Sequence, residues 1–237
     1  MVRKLIKNVP FLYKTALRIK HTKWLKETKK GLKNYLDNST ATKLQLGAGT
    51  NVLPGWFNTD YFARPTVFFL DVTKTFPFPD NIFEWAFSEH HIEHISYQDA
   101  QVMLSETYRV MKPGGYIKII TPDLHKYIQS YGDRTLQSPV IKQHVTDWIY
   151  GGFYNASTYI PVNDYYDAHF INDIFLNYEH RFIYDEQSLK ILLEKAGFIN
   201  VLCNNAITLV HPELENIESH SSQFDMMFNL TVQAQKP

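Results

Sequence analysis

Two glycines stand directly behind a short apolar run in Leu44-Gln45-Leu46-Gly47-Ala48-Gly49, and acids close the next two runs at Asp60 and Asp71. Few folds accommodate that order. A glycine behind a strand lets the backbone turn sharply and approach a ligand with no Cβ in the way. In open parallel sheets, ligands sit at the carboxyl ends of the strands, beside the point where strand order reverses.

Short apolar runs then alternate with helical stretches. Strands are expected at Lys43–Leu46, Phe57–Thr59, Val67–Leu70, Phe83–Phe87, Tyr116–Ile120, Ile199–Cys203 and Phe228–Ala234. Helices are expected at Tyr97–Met111, behind the N-cap Ser96, and at Glu186–Ala196, closed by Gly197. Lys112-Pro113-Gly114-Gly115 is expected to end the first and turn the chain. Strands alternating with helices predict an α/β fold, a mostly parallel sheet with helices on both faces.

Two regions fall outside this rhythm. Residues 1–34 hold eleven Lys or Arg and a single acid, Glu27, so they carry +10 while the remainder of the chain carries −10. The stretch Phe11–Tyr35 reads as a helix, and residues 1–40 as a basic helical extension of a domain spanning 41–237. Its lysines either rest on an anionic membrane or an acidic partner, or stand solvated on a helix packed against the core. The second region, 123–180, is rich in aromatics, including Tyr127, Tyr131, Trp148, Tyr150, Phe153, Tyr154, Tyr165, Tyr166, Phe170 and Phe175. It reads as an insertion that caps a pocket, with Gly151-Gly152 as a hinge; its rings suit the faces of a carbohydrate acceptor, with Asn163, Asp164, Asp167 and His169 as polar contacts, or equally an ordinary core of Tyr and Phe.

The exclusions are simpler. No stretch approaches 18 continuous apolar residues, so no transmembrane span is expected. The start lacks a secretory signal, and a cytoplasmic protein, at most peripheral at the inner membrane face, is expected. The single Cys203 rules out a disulfide framework. Nucleic acid is not expected as a partner, because the chain beyond its start is acidic. A nicotinamide-binding fingerprint is absent, since Val52 stands where the third glycine would be.

At the site itself, Asp60 can accept hydrogen bonds from both hydroxyls of a ribose, and Asp71 can face an adenine amino group. Ser88-Glu89-His90-His91-Ile92-Glu93-His94 follows the fourth strand. His90 and His94 share a face if this stretch is helical. The HExxH order of a zinc helix is missing, and no metal is expected.

The segments LQLGAGTNVLPGWFNTD, FPFPDNIFEWAFSEHHIEHI and YRVMKPGGYIKIITPD resemble the motifs of class I S-adenosylmethionine (SAM)-dependent methyltransferases, and HRFIYDEQSLKILLEKAGF resembles their C-terminal helix signature. The likeness spans roughly residues 41–123 and 180–237 and points toward small methyltransferases of bacterial surface-polysaccharide pathways. It implies a Rossmann-like seven-stranded sheet whose last strand is antiparallel. It implies a SAM site made of Gln45, Gly47, Ala48, Gly49, Asp60, Tyr61, Asp71, Val72, Phe87, Ser88 and Glu89, with Glu93 and His94 bracing the loop. Gln45 stands where many relatives have an acid, and Asn51 where many have a third glycine. The span from Gly49 to Asp60 also leaves room for only a turn, not the usual helix.

A sugar hydroxyl is a poor nucleophile, so a base within reach helps methyl transfer. His90 is the first candidate, with His91, Glu89, Asp123 and His180 as alternatives. The expected activity is O-methylation of a sugar hydroxyl on a surface glycan or precursor, the acceptor being a small molecule or oligosaccharide. The competing readings are methylation of a lipid, quinone or other small molecule, and a non-catalytic SAM-binding partner of a glycosyltransferase, docked through residues 1–34.

Overall fold

The computed structural model describes residues 10–132, 138–144, 167–176, 178–204, 211–220 and 222–237. Its centre is a seven-stranded sheet of β1 (Lys43–Leu46), β2 (Phe57–Asp60), β3 (Phe68–Phe69), β4 (Phe83–Glu89), β5 (Met111–Pro122), β6 (Ile199–Cys203) and β7 (Asn229–Gln235). The spatial order is β3-β2-β1-β4-β5-β7-β6. The pairs from β3 to β5 are parallel, and β7 runs antiparallel to both β5 and β6. This is the Rossmann-like methyltransferase sheet expected from the sequence. The order reverses between β1 and β4, whose register aligns Leu46 with Ser88.

Alternation along the strands assigns each face. Leu44, Leu46, Ala86, Ile117 and Ile119 lie in the main core. The helices α1 (Pro10–Asn38), α2 (Tyr97–Val110) and α6 (Glu186–Ala196) each contribute to it, through Leu32, through Met103 and Leu104, and through Leu189, Leu192 and Leu193. Helix α2 starts where Ser96 Oγ accepts the Asp99 N–H at 3.1 Å. Asp185 and Ser188 form a reciprocal capping box at the start of α6, and Gly197 ends it at φ 104°.

The opposite face is covered differently. Phe87 and Ile120 pack there with Leu53, Trp56 and Leu214. Leu53 and Trp56 belong to the short β1–β2 connection, and Leu214 to a 3-10 turn, Pro212–Leu214. A segment far down the chain thus fills the space that the shortened connection leaves open. Lys118, on this same face, bonds the Leu214 carbonyl at 2.9 Å and pairs with Glu218.

Two features depart from the sequence expectation, and a third decides in part between two readings. The first helix runs three residues beyond Tyr35, to Asn38. The Lys112–Gly115 stretch does not sit between helix and strand. Helix α2 ends at Val110, and these residues lie inside β5 as a bulge, because Phe83 pairs with Met111 and Trp85 with Tyr116. The aromatic region is in part ordinary core. Tyr127 of α3 (Leu124–Gly132), Ile141 of α4 (Pro139–His144) and Phe170 and Ile174 of α5 (Asp167–Leu176) form a second cluster. Phe224 and Phe228 of α7 (Gln223–Phe228) complete it. Trp148, Tyr150, Gly151, Gly152, Phe153, Tyr154, Tyr159, Asn163, Asp164, Tyr165 and Tyr166 lie outside the described residues.

Leu104 is fully buried in the main core. Leu104→Ala is expected to cost about 3 kcal/mol, the usual range for a leucine truncated in a packed core. A lower denaturation midpoint at unchanged slope would register it.

Candidate functional site

The reversal between β1 and β4 brings the glycine loop and the Ser88–His94 stretch to one edge of the sheet. Gly47 and Gly49 both have positive φ, 68° and 49°. At Gly47 the reason is packing as well as conformation, since a Cβ there would lie 2.2 Å from His91 Cγ. His91 is thus a partly buried filler of the glycine turn, and burial lowers its pKa. That placement argues against His91 as a base. Gly49 N–H donates to Asp60 Oδ2 at 2.9 Å, and Phe62 N–H donates to Oδ1 at 2.8 Å. These bonds aim the carboxylate while leaving lone pairs for further donors.

Other expected contacts divide into two groups. Gln45 Oε1 and Ser88 Oγ are buried with no hydrogen-bond partner among the described residues. Gln45 is oriented by its own amide, which donates to the Asn51 carbonyl at 2.9 Å. Ala48 is buried, and its N–H donates to the Thr59 carbonyl. Tyr61 is 40 % exposed, with its ring against those of His21 and Phe69. Asp71 turns toward Thr73, accepting its N–H and its hydroxyl. The side chains of Val72 and Phe87 face packed clusters, so only their backbones remain for a ligand.

Glu89 is the best-anchored carboxylate of the site. It accepts the N–H groups of Ser219 and His220 at 3.0 Å and the Ser219 hydroxyl at 2.7 Å. His220 Nδ1 stands 3.5 Å from its Oε1. Burial alone would raise the Glu89 pKa. The hydrogen bonds from His220 and Ser219 outweigh it and bring the value down to about 2. The bond to Glu89 in turn raises the His220 pKa, against the effect of burial.

His90 lies between Glu93 and the His220 ring. Its φ is 44°, a conformation that non-glycine residues adopt sparingly and that clusters at functional sites. Its ring centroid is 4.3 Å from that of His220, and its Nδ1 is 3.2 Å from Glu93 Oε1. Glu93 is wholly buried, and Thr121 Oγ1 donates to its Oε2 at 3.0 Å. Burial pushes the Glu93 pKa up, but the His90 bond and the charge interactions with His90 and His94 win and hold it low.

Two candidates fall away from this centre. Asp123 is buried at the start of α3, where its Oδ1 accepts the His125 N–H at 3.0 Å. It serves as a helix cap. His180 packs behind Glu93 against His94, with its Nδ1 2.6 Å from the Ile174 carbonyl. Glu93, His94 and His180 bring one donor atom each within 4.8 Å of one another, a donor set that a divalent cation could use. Of the proposed acceptor contacts, Asn163 and Asp164 lie outside the described residues, and Asp167 and His169 sit on α5.

Ser219 and His220 carry no sequence signal of their own. They stand about 130 residues from Glu89, in no motif, and only the tertiary fold joins them.

Residues 44–119, about a third of the chain, match the family model described as "Methyltransferase domain". With the strand order, this makes the protein a SAM-dependent methyltransferase in class, with SAM as its cofactor. Among solved structures, a SAM-dependent methyltransferase from Thermotoga maritima is 16% identical, with 94% of this chain and 97% of that one covered at a TM-score of 0.45. A SAM-dependent methyltransferase from Archaeoglobus fulgidus is 17% identical, covering 90% and 94%, at 0.45. Phosphoethanolamine N-methyltransferase 2 from Haemonchus contortus, solved with SAM, is 16% identical, covering 90% of this chain and 52% of that one, at 0.41. No curated protein matches the chain in sequence.

The Glu89 anchor has a defined acid signature. Its contribution to stability is full above about pH 4.5, the unfolded value, and is lost as pH falls from there toward about 2. The amount at stake is on the order of 2–3 kcal/mol. Denaturation midpoints measured from pH 7 into the acid range are expected to fall more steeply for the natural protein than for Glu89→Gln. Parallel curves would remove this role.

Proposed function

We propose that the protein transfers the methyl group of SAM to a hydroxyl of a sugar, in a surface glycan or its precursor. The observation that carries the reading is the pair of imidazoles, His90 and His220, 4.3 Å apart at the end of β4 and backed by Glu93 and Glu89. A proton acceptor at this place suits a hydroxyl nucleophile. The glycan acceptor is supported by the likeness of the motifs and by the aromatic character of residues 123–180.

The residues fit the cofactor. SAM supplies a methyl group already activated on a sulfonium. The left-handed turn at Gly47 and Gly49 offers open backbone, and Asp60 retains lone pairs for the ribose hydroxyls. The partnerless Gln45 Oε1 suits the ammonium group, and Asp71, whose two bonds from Thr73 both end on Oδ1, offers Oδ2 to the adenine side.

Of the two imidazoles, His220 has the better position for a base. Its side chain is 47 % exposed against 21 % for His90, whose Nε2 is buried without a partner among the described residues. With Nδ1 turned toward Glu89, Nε2 of His220 is left to take the proton of the acceptor hydroxyl, whose oxygen would gain the methyl group as the methyl–sulfur bond of bound SAM breaks and S-adenosylhomocysteine is left. Glu89 then stabilises the imidazolium. His90 packs against this ring and holds it in place.

Isothermal titration tests the cofactor reading. SAM and S-adenosylhomocysteine are each expected to bind in the micromolar range, and Asp60→Ala to weaken both at least tenfold. Retained affinity in that variant would sink the pocket assignment.

Methyl transfer from labelled SAM to nucleotide sugars and short oligosaccharides tests the rest. His220→Ala is expected to slow turnover about 10²- to 10⁴-fold, the usual span for a lost base. S-adenosylhomocysteine affinity should be unchanged, and added imidazole should restore part of the rate. The acid limb of the natural rate is expected above the ordinary histidine range, because Glu89 foremost, with Asp225 and Glu93, raises the His220 pKa. Glu89→Gln should shift that limb to lower pH. Full turnover in His220→Ala would return the role to His90, and turnover on lipid extracts alone would replace the glycan acceptor.

A further inference from the structure

Helix α1 has two faces of different character. One docks on the edge of the sheet. Thr28 and Leu32 are buried there, Thr28 Oγ1 donates to the Phe69 carbonyl at 3.0 Å, and the rings of His21 and Trp24 lie 4.6 and 5.5 Å from that of Phe69. The other face is rich in lysine. Lys20, Lys23, Lys26, Lys29, Lys30 and Lys33 are all exposed. Lys23, Lys26, Lys30 and Lys33 recur at helical spacing, which aligns them in one outward stripe.

Almost nothing neutralises that stripe. Lys23 pairs with Glu27 at 3.9 Å, and both are well exposed. The other five lysines have no acidic partner among the described residues, and Lys20 lies over the Trp24 ring. Exposed like charges at this density repel one another, and a structure gains nothing internally from them. An anionic surface would relieve the repulsion.

The sequence ahead of the stripe indicates what kind of surface. Leu5, Ile6, Val9, Phe11, Leu12, Leu17 and Ile19 are interleaved there with Arg3, Lys4, Lys7, Lys14 and Arg18. An acidic protein or nucleic acid needs only the charges. Bulky apolar residues mixed among basic ones suit a lipid interface, where rings and aliphatic chains enter the headgroup region while the cations meet phosphate.

The direction of the helix places this end. His21 touches Tyr61, just past the carboxyl end of β2, whereas Tyr35 bonds the Lys43 carbonyl at the start of β1. Helix α1 therefore runs antiparallel to the strands. Its first ten residues, Pro10 to Ile19, extend about 15 Å beyond His21, on the side of the sheet that holds the site.

We propose that the lysine face of α1, with the basic and apolar residues before it, binds the protein to an anionic lipid surface. This attachment is independent of the methyl-transfer reading, because it uses no residue of the site. The described residues contain no helix long and apolar enough to cross a membrane.

Co-sedimentation of the full chain with vesicles tests the proposal. Binding is expected to an equal mixture of phosphatidylcholine and phosphatidylglycerol at low salt, but not to phosphatidylcholine alone. It should fall steeply once the Debye length drops to a few ångströms, at roughly 0.5–1 M salt. The combined Lys23→Glu, Lys26→Glu, Lys30→Glu and Lys33→Glu variant takes residues 1–34 from +10 to +2 and is expected to bind at least tenfold more weakly. Its circular dichroism and its S-adenosylhomocysteine affinity should match the natural protein, since all four side chains are exposed. No sedimentation with the mixture, equal binding to phosphatidylcholine alone, or undiminished binding of the folded variant would each overturn the proposal.

Discussion

The parallel pairing of β1 with β4 is the constraint on which the rest depends. Strands one and four in sequence lie side by side, aligned so that Leu46 meets Ser88. Each then leaves the sheet at the same edge, and the two exits cannot be packed independently. His91, from one, fills the space over Gly47 in the other. Asn51, after the first exit, brings its amide to 3.5 Å from Glu89 at the end of β4. The glycine turn, the imidazole that fills it and the anchored carboxylate are consequences of one register.

The cost of a short β1–β2 connection appears on the opposite face. With no helix between those strands, Phe87 and Ile120 would be exposed on one side. Leu53 and Trp56 cover part of that surface, and Leu214 covers more. Lys118 ties the covering segment down through the Leu214 carbonyl and Glu218. The same segment then reaches the site, where Ser219 and His220 bind Glu89. Packing repair and site construction are therefore performed by one stretch of chain.

Much of this was legible in the sequence, and the reason is local. Strand and helix positions follow from apolar periodicity, and the glycine turn with its strand-end acids follows from spacing. Gly49 and Asp60 meet across only 11 positions, so a linear reading finds them. What stayed hidden depends on distance along the chain or on side-chain direction. His91 and Asp123 look like pocket residues in the sequence but point into packing and a helix cap. Val72 and Phe87 sit at the expected positions with their side chains turned to the core. Residues 112–115 read as a turn because a bulge of proline and glycines has the same composition as one. Ser219 and His220 could not be found by spacing, since nothing marks a residue whose partner lies about 130 positions away.

That separation has a consequence for how the molecule is made. Translation proceeds at about 5–20 residues per second, so Glu89 leaves the ribosome on the order of ten seconds before Ser219 and His220 do. During that interval the carboxylate at the end of β4 has only water and Asn51 for donors, and the far face of the sheet lacks Leu214. The parallel core can form early, but the site closes last, when the C-terminal segment arrives. A chain interrupted anywhere before residue 219 would keep the glycine turn and lack the Ser219 and His220 bonds to Glu89.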